Sequence, residues 1–218
     1  MECEPKADLQ KIVARSRTVA SNMNKGVQLL LKRNNVDIIQ GFGRLVSPTE
    51  VDVEGALYQA DNIILATGAR PREMAFMPVD HTHIINSKDA LSLEKLPETM
   101  VVVGSGAIGS EFAFFYASLG VKVTVIEYMP QLMPLEDEEV AKCMERVFRR
   151  LRIGVMTATT VKSVTVVDDK CQIEIEGKKG VETLTADVVL SAVGIKSNVE
   201  NIGLEKVGVA VERDKVLV

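Results

Sequence analysis

The chain has 218 residues, of which 46% are hydrophobic, and its 30 acidic side chains outweigh 26 basic ones for a formal net charge of −4. That content suffices for the packed core of one large domain or two small ones. The acidic balance leaves no electrostatic footprint for nucleic acid, and no run approaches the roughly 18 apolar residues of a membrane span.

The start, Met1-Glu2-Cys3-Glu4-Pro5, has neither the basic opening nor the apolar stretch of a secretory signal. Residues 8–33 predict a long helix. Leu9, Ile12, Val13, Val19, Met23, Val27, Leu30 and Leu31 approximate a 3.6-residue stripe, and Asn34-Asn35 close it. Gly26 interrupts the stripe and predicts close packing against another element. Short strands are expected over 36–40, 44–46 and 50–53. The apolar run 63–66, stopped by Thr67-Gly68, predicts a buried strand that ends at a ligand-side turn. Residues 71–99 read as irregular, broken by Pro71, Pro78 and Pro97, with a short helix over 87–93. A domain boundary is expected near Leu96-Pro97.

Beyond it the pattern alternates strand and helix: a strand over 100–103, a helix over 107–119 closed by Gly120, and a strand over 121–127. A helix over 137–151 follows, with Val140, Met144, Val147, Phe148 and Leu151 as its apolar face. This is the rhythm of a parallel sheet with covering helices. From Ile153 it changes. Residues 161–167, 171–176 and 181–185 alternate apolar and polar and predict an antiparallel meander. Val188-Val189-Leu190 then returns to the parallel sheet before Gly194. The expected fold is α/β, a Rossmann-type domain over 97–218 joined to a second, partial domain over 1–96. Cys3, Cys143 and Cys171 form no CxxC, disulfide or zinc spacing; Cys143 and Cys171 are expected as buried small hydrophobes in a reducing, cytosolic-type setting. His81 and His83 read as loop residues rather than metal ligands.

The chemistry concentrates at Gly104-Ser105-Gly106-Ala107-Ile108-Gly109. The GxGxxG pattern follows an apolar strand, opens a helix, and precedes a second strand that ends in Glu127. In that context it is a dinucleotide fingerprint. Gly104 takes the tight turn, Gly106 lets a pyrophosphate approach the backbone, and Gly109 allows close helix–sheet packing. The helix N-terminus offers unpaired N–H groups and a partial positive charge, worth about 0.3–1 kcal/mol to an exposed anion. Glu127 would accept from ribose hydroxyls and repel a 2′-phosphate. No Arg or Lys lies between Tyr128 and Gln131 to neutralise it, so NAD is expected over NADP.

With Lys25-Gly26-Val27, Gly41-Phe42-Gly43, Ile63-Ile64-Leu65-Ala66-Thr67-Gly68, 87–91, 101–111, Glu127, Ala192-Val193-Gly194 and Ser197-Asn198 in this order, the chain resembles the pyridine nucleotide–disulfide oxidoreductases, within them the dihydrolipoamide dehydrogenases. The resemblance implies that Gly104 to Gly109 and Glu127 hold NAD, with Glu111 near the nicotinamide and Val161 and Gly194 lining the same site. Gly43, Thr67, Gly68 and Ala69 would touch FAD in the parent enzyme. Ala107 stands where some relatives place a gating Tyr. It assigns no catalytic residue and no metal.

Family members also carry an N-terminal FAD fingerprint, a redox-active CxxxxC pair, and a C-terminal dimerisation domain with a His–Glu pair, none of which occurs here. The chain is therefore expected to match the middle half of a flavoprotein that reoxidises dihydrolipoamide with NAD, to bind NAD without retaining FAD, and to be inactive alone. Its region 1–95 is expected to be mobile and expose apolar surface, or to pair with a second copy. The parent is implied to be a homodimer and a component of a 2-oxo acid dehydrogenase complex, in the cytoplasm or a mitochondrial matrix. A related NADH-dependent flavoprotein reductase or oxidase, and a cofactor-free Rossmann binding module, remain the alternatives.

Overall fold

The computed structural model describes residues 7–217, so Cys3 lies outside the described residues. In chain order the elements are α1 (Leu9–Arg33), β1 (Gly43–Ser47), β2 (Glu50–Val53), β3 (Ala56–Gln59), β4 (Ala69–Pro71), β5 (Ile84–Asn86) and α2 (Ser87–Ala90). Then come β6 (Thr99–Val103), α3 (Ala107–Ser118), β7 (Lys122–Ile126), α4 (Glu138–Arg150), β8 (Gly154–Met156), β9 (Thr160–Val167), β10 (Lys170–Gly177) and β11 (Gly180–Ala186). The chain closes with β12 (Val188–Ser191), β13 (Ile195–Ser197), a 3₁₀ turn at Leu204–Val207, β14 (Val211–Glu212) and β15 (Lys215–Val216). They form two compact units: the chain up to Ser16 with Pro71–Gly194, and Arg17–Arg70 with Ile195–Val218.

The first unit is built on a five-stranded parallel sheet in the order β5-β12-β6-β7-β8. Its strands are apolar at successive positions because both faces are covered. Met100 and Val102 pack with Tyr116 of α3 and Phe148 of α4, while Val101 and Val103 pack with Ile173 and Ile175 of the meander. The meander β9-β10-β11 and the return of β12 to the parallel sheet agree with expectation. Two strands were not legible. β5 lies in the stretch read as irregular, before the expected boundary, and β8 lies where the parallel rhythm was expected to stop. Each has only three residues, too short to show a period.

Helix α4 buries Ala141 and Phe148, whereas Val140 is 45% and Leu151 36% exposed, so the apolar face is narrower than its pattern. Cys143 is exposed rather than buried. It stands two residues past Ala141, about 200° further round the helix. Cys171 is buried as expected, and burial pushes its thiol up to about 11.

Two polar contacts, one buried and one part-buried, tie this unit together. Tyr116 Oη donates to the Ala90 carbonyl at 2.6 Å, and burial pushes the phenol up to about 12. Tyr116→Phe leaves that carbonyl without its partner and is expected to cost about 1–2 kcal/mol, read as a lower urea midpoint at unchanged slope. At the head of β12, Asp187 accepts from Thr99 N at 2.8 Å and Thr99 Oγ1 at 2.9 Å and pairs with Lys170. Lys170 first, and then Thr99, hold its carboxyl at about 2 against an ordinary 3.8. A depressed carboxyl contributes stability that is complete above the unfolded value and is lost as pH falls through the folded one. Urea midpoints should therefore drop between about pH 4 and pH 2, and Asp187→Asn should flatten that limb.

The second unit holds the antiparallel β1-β2-β3 sheet, the pairs β4–β13 and β14–β15, and a small core around Leu45, Ile202 and Leu204. β3 was missed, although Glu54 (φ 54) and Gly55 (φ 92) make the two-residue turn that joins it to β2. In α1, whose helix agrees with expectation, only Leu9 is buried. Gly26 has nothing within 4 Å of a built Cβ, so the close packing expected there is absent among the described residues. Residues 36–40 and 63–66 form no strand, and Ile64 is 90% exposed. Their composition favours strands, but a strand exists only through hydrogen bonds to a neighbour. Among the described residues no strand pairs with either run.

Candidate functional site

At the carboxyl end of the parallel sheet, β6 runs into Gly104, whose φ is 98°. Its N–H donates to Ile126 O at 2.8 Å. A Cβ on Gly104 would stand 2.4 Å from Ala192 O, and one on Gly109 would stand 2.0 Å from Gly104 O. Both glycines are demanded by the protein's own packing. Gly106 is different. Its φ of −64° and ψ of −174° suit any residue, and a Cβ there would meet nothing within 4 Å. It caps α3 without a side-chain hydrogen bond, so no cap side chain covers the backbone N–H groups on which the helix starts. That is a cradle a side chain would fill and a phosphate can enter.

Glu127 follows β7, the strand beside β6, and is 4% exposed. Its Oε2 accepts from Ser105 N and Ser105 Oγ, both at 2.8 Å, and its Oε1 accepts from Met129 N at 2.9 Å. The loop and the carboxylate thus stand side by side. Ala107 and Glu111 are exposed on the first turns of α3. Gly194 is exposed with φ of 105°, two residues beyond Ala192 at the same sheet edge. The Val161 side chain is 6% exposed and packs with Ile173 and Ile175, because the alternation of β9 turns it into the meander core.

In the second unit, Gly43 opens β1 and is exposed, and Thr67, Gly68 and Ala69 are exposed at the start of β4. Asn198 clamps this turn: its Nδ2 donates to Thr67 O and its N to Gly68 O, both at 3.0 Å. Arg70 Nη1 donates to Asn198 Oδ1 at 2.8 Å and to Glu200 Oε2 at 3.0 Å, and Nη2 donates to Glu200 Oε1 at 2.8 Å. Arg70 and then Lys196 hold the Glu200 carboxyl well below the usual range. The clamp spans about 130 residues of sequence, so no local signal announces it.

His81 lies 3.0 Å from Asp89 and His83 2.9 Å from Asp169. Among the described residues no three His, Cys, Asp or Glu side chains are placed to hold a metal, and no helix is long and apolar enough to cross a membrane.

Solved structures share this architecture. The HOCl-induced flavoprotein disulfide reductase RclA from Escherichia coli, as its Cu(II) complex, superposes with a TM-score of 0.85 at 25% identity, over 97% of this chain and 49% of that one. LpdA from Mycobacterium tuberculosis superposes with a TM-score of 0.86 at 28% identity, over 96% and 48%. The fold class is that of the flavoprotein disulfide reductases. The sequence model described as "Pyridine nucleotide-disulphide oxidoreductase" matches residues 2–218, and the chain belongs to that family. Curated relatives include the dihydrolipoyl dehydrogenase of Zymomonas mobilis, 38% identical over 99% of this chain and 47% of the relative. The dihydrolipoyl dehydrogenase of Rhizobium etli is 38% identical over 100% and 49%, and one from Bacillus subtilis 32% identical over 97% and 48%. The chain spans about half the length of the curated relatives it matches.

Proposed function

We propose that this chain binds NAD(H) as the nucleotide-holding part of a flavin-dependent disulfide oxidoreductase, and that the whole protein reoxidises dihydrolipoamide. The reading rests on Gly106, a glycine that neither backbone strain nor packing requires, at the mouth of a helix beside a buried carboxylate. The N–H groups of Ala107, Ile108 and Gly109 would hold the pyrophosphate and Glu127 a ribose hydroxyl, with Glu111 and Gly194 toward the nicotinamide. Gly43, Thr67, Gly68 and Ala69 would meet FAD in the whole protein. Bound nicotinamide and flavin supply the hydride chemistry, and the protein supplies orientation.

These 218 residues alone are read as binding NAD without retaining FAD and without turning over dihydrolipoamide. Their cysteines, at 3, 143 and 171, never fall at CxxxxC spacing. Exchange with a disulfide needs an accessible thiolate, and Cys171 is buried with its thiol pushed up to about 11. The resemblance to the dihydrolipoamide dehydrogenases implies a homodimer within a 2-oxo acid dehydrogenase complex as the setting of the whole protein, in the cytoplasm or a mitochondrial matrix. The likeness to RclA supports a second reading, in which the same nucleotide site feeds electrons to another acceptor.

Titration with NADH, followed by nicotinamide fluorescence, tests the proposal. Saturable binding with Kd below about 1 mM is expected, lost in Gly106→Val. No saturation in the unmodified chain overturns it and leaves a cofactor-free Rossmann module.

A further inference from the structure

Ser105 is the second residue of the glycine loop, yet its side chain is 0% exposed and cannot face the opening over Gly106. It faces Glu127. Its N–H and its hydroxyl both donate to Oε2 at 2.8 Å, and the hydroxyl oxygen accepts in turn from Met133 N at 3.2 Å. The Ser105 carbonyl accepts from Ser110 Oγ at 2.9 Å, which anchors the same residue to α3. Ser105 therefore ties the loop, the helix behind it and the segment after β7 to one carboxylate oxygen.

We propose that Ser105 is a positioning residue for the sugar of the dinucleotide, and that by immobilising Glu127 it sets the preference for NADH over NADPH. The proposal rests on the nucleotide reading above. A carboxylate offers about four lone-pair positions. Ser105 fills both on Oε2 and Met129 N one on Oε1, so a single acceptor position remains, enough for one ribose hydroxyl. The same three donors prevent the group from turning. A 2′-phosphate then meets a negative charge that cannot swing aside, with Lys and Arg absent from 128–131. Discrimination of this kind depends on a fixed repulsive group as much as on an attractive contact. Without the Ser105 hydroxyl, the carboxylate keeps one donor on Oε2 and can rotate away.

The test uses the full chain with NADH titrations and NADPH competition, in the unmodified protein, Ser105→Ala, Ser105→Gly, Glu127→Gln and the Ser105→Ala/Glu127→Gln double variant. Thermal melts establish that each is folded. Ser105→Ala should weaken NADH about tenfold, in line with loss of one charge-assisted hydrogen bond, and leave NADPH unchanged or tighter. The double variant should discriminate no less than Glu127→Gln alone, because the Ser105 hydroxyl acts through that carboxylate. Equal weakening of both nucleotides would mark Ser105 as merely structural and overturn the positioning role. So would an unchanged preference in both Ser105 variants. If the unmodified chain does not bind NADH, the nucleotide reading fails first and the role of Ser105 with it.

Discussion

Gly109→Ala should lower the melting temperature on the order of 10 °C, whereas Gly106→Ala should barely move it yet weaken NADH binding at least about tenfold. The two glycines sit three residues apart in one motif and do unrelated work. A Cβ on Gly109 would lie 2.0 Å from the carbonyl oxygen of Gly104, a residue whose own N–H is tied to Ile126 O. Relieving that overlap means shifting the start of α3 against the sheet. Overpacking of this sort costs about 3 kcal/mol or a little less, equivalent to about 3 °C per kcal/mol in a domain of this size. A Cβ on Gly106 meets open space, so the expected penalty is that of a poorer helix cap, about 1 kcal/mol or less. Its cost falls on the ligand: the methyl group would occupy the approach of the pyrophosphate, and NADH affinity should fall at least about tenfold. Melting curves with and without NADH check both variants. Equal stability loss in the two would remove the distinction on which the site rests.

Glu127→Ala is expected to be the most damaging single change at the carboxylate. It leaves Ser105 N, Ser105 Oγ and Met129 N without their acceptor at a position only 4% exposed. Each buried orphaned donor costs about 1–3 kcal/mol, so a loss of about 3 kcal/mol or more is expected, together with loss of NADH binding. Glu127→Gln separates the two effects. The amide keeps one oxygen as acceptor and removes the negative charge, so stability should fall by about 1–2 kcal/mol. The NADH:NADPH affinity ratio should move toward one. Chemical denaturation and paired nucleotide titrations provide both numbers. A Glu127→Gln protein that still excludes NADPH would show that another group enforces the preference.

The expected division of labour was legible wherever chemistry and period coincide within a few residues. The strand, loop and helix around Gly104 to Gly109, the acidic end of the next strand and the alternating meander are local patterns, and local sterics and hydrogen bonding specify them. Short strands were not legible, because β5 and β8 have three residues each and acquire their identity from β12 and β7 beside them. The opposite error occurred at 36–40 and 63–66, where strand-like composition meets no partner among the described residues.

The sequence by itself determined the α/β class and the residue types able to cradle a phosphate and grip a sugar, since these follow from glycine spacing, helix ends and charge, while the family came from the resemblance that several motifs in one order carry. Only the tertiary structure decided what each residue does. It separated Gly106, where a Cβ would meet nothing, from Gly104 and Gly109, which packing requires, and buried the Val161 side chain in the meander. It aimed Ser105 at Glu127 across 22 residues of sequence and clamped Thr67-Gly68 with Asn198 across about 130. The physical reason is the same throughout. A side chain's orientation and its hydrogen-bond partners are set by neighbours that folding brings together, and no window along the chain contains both.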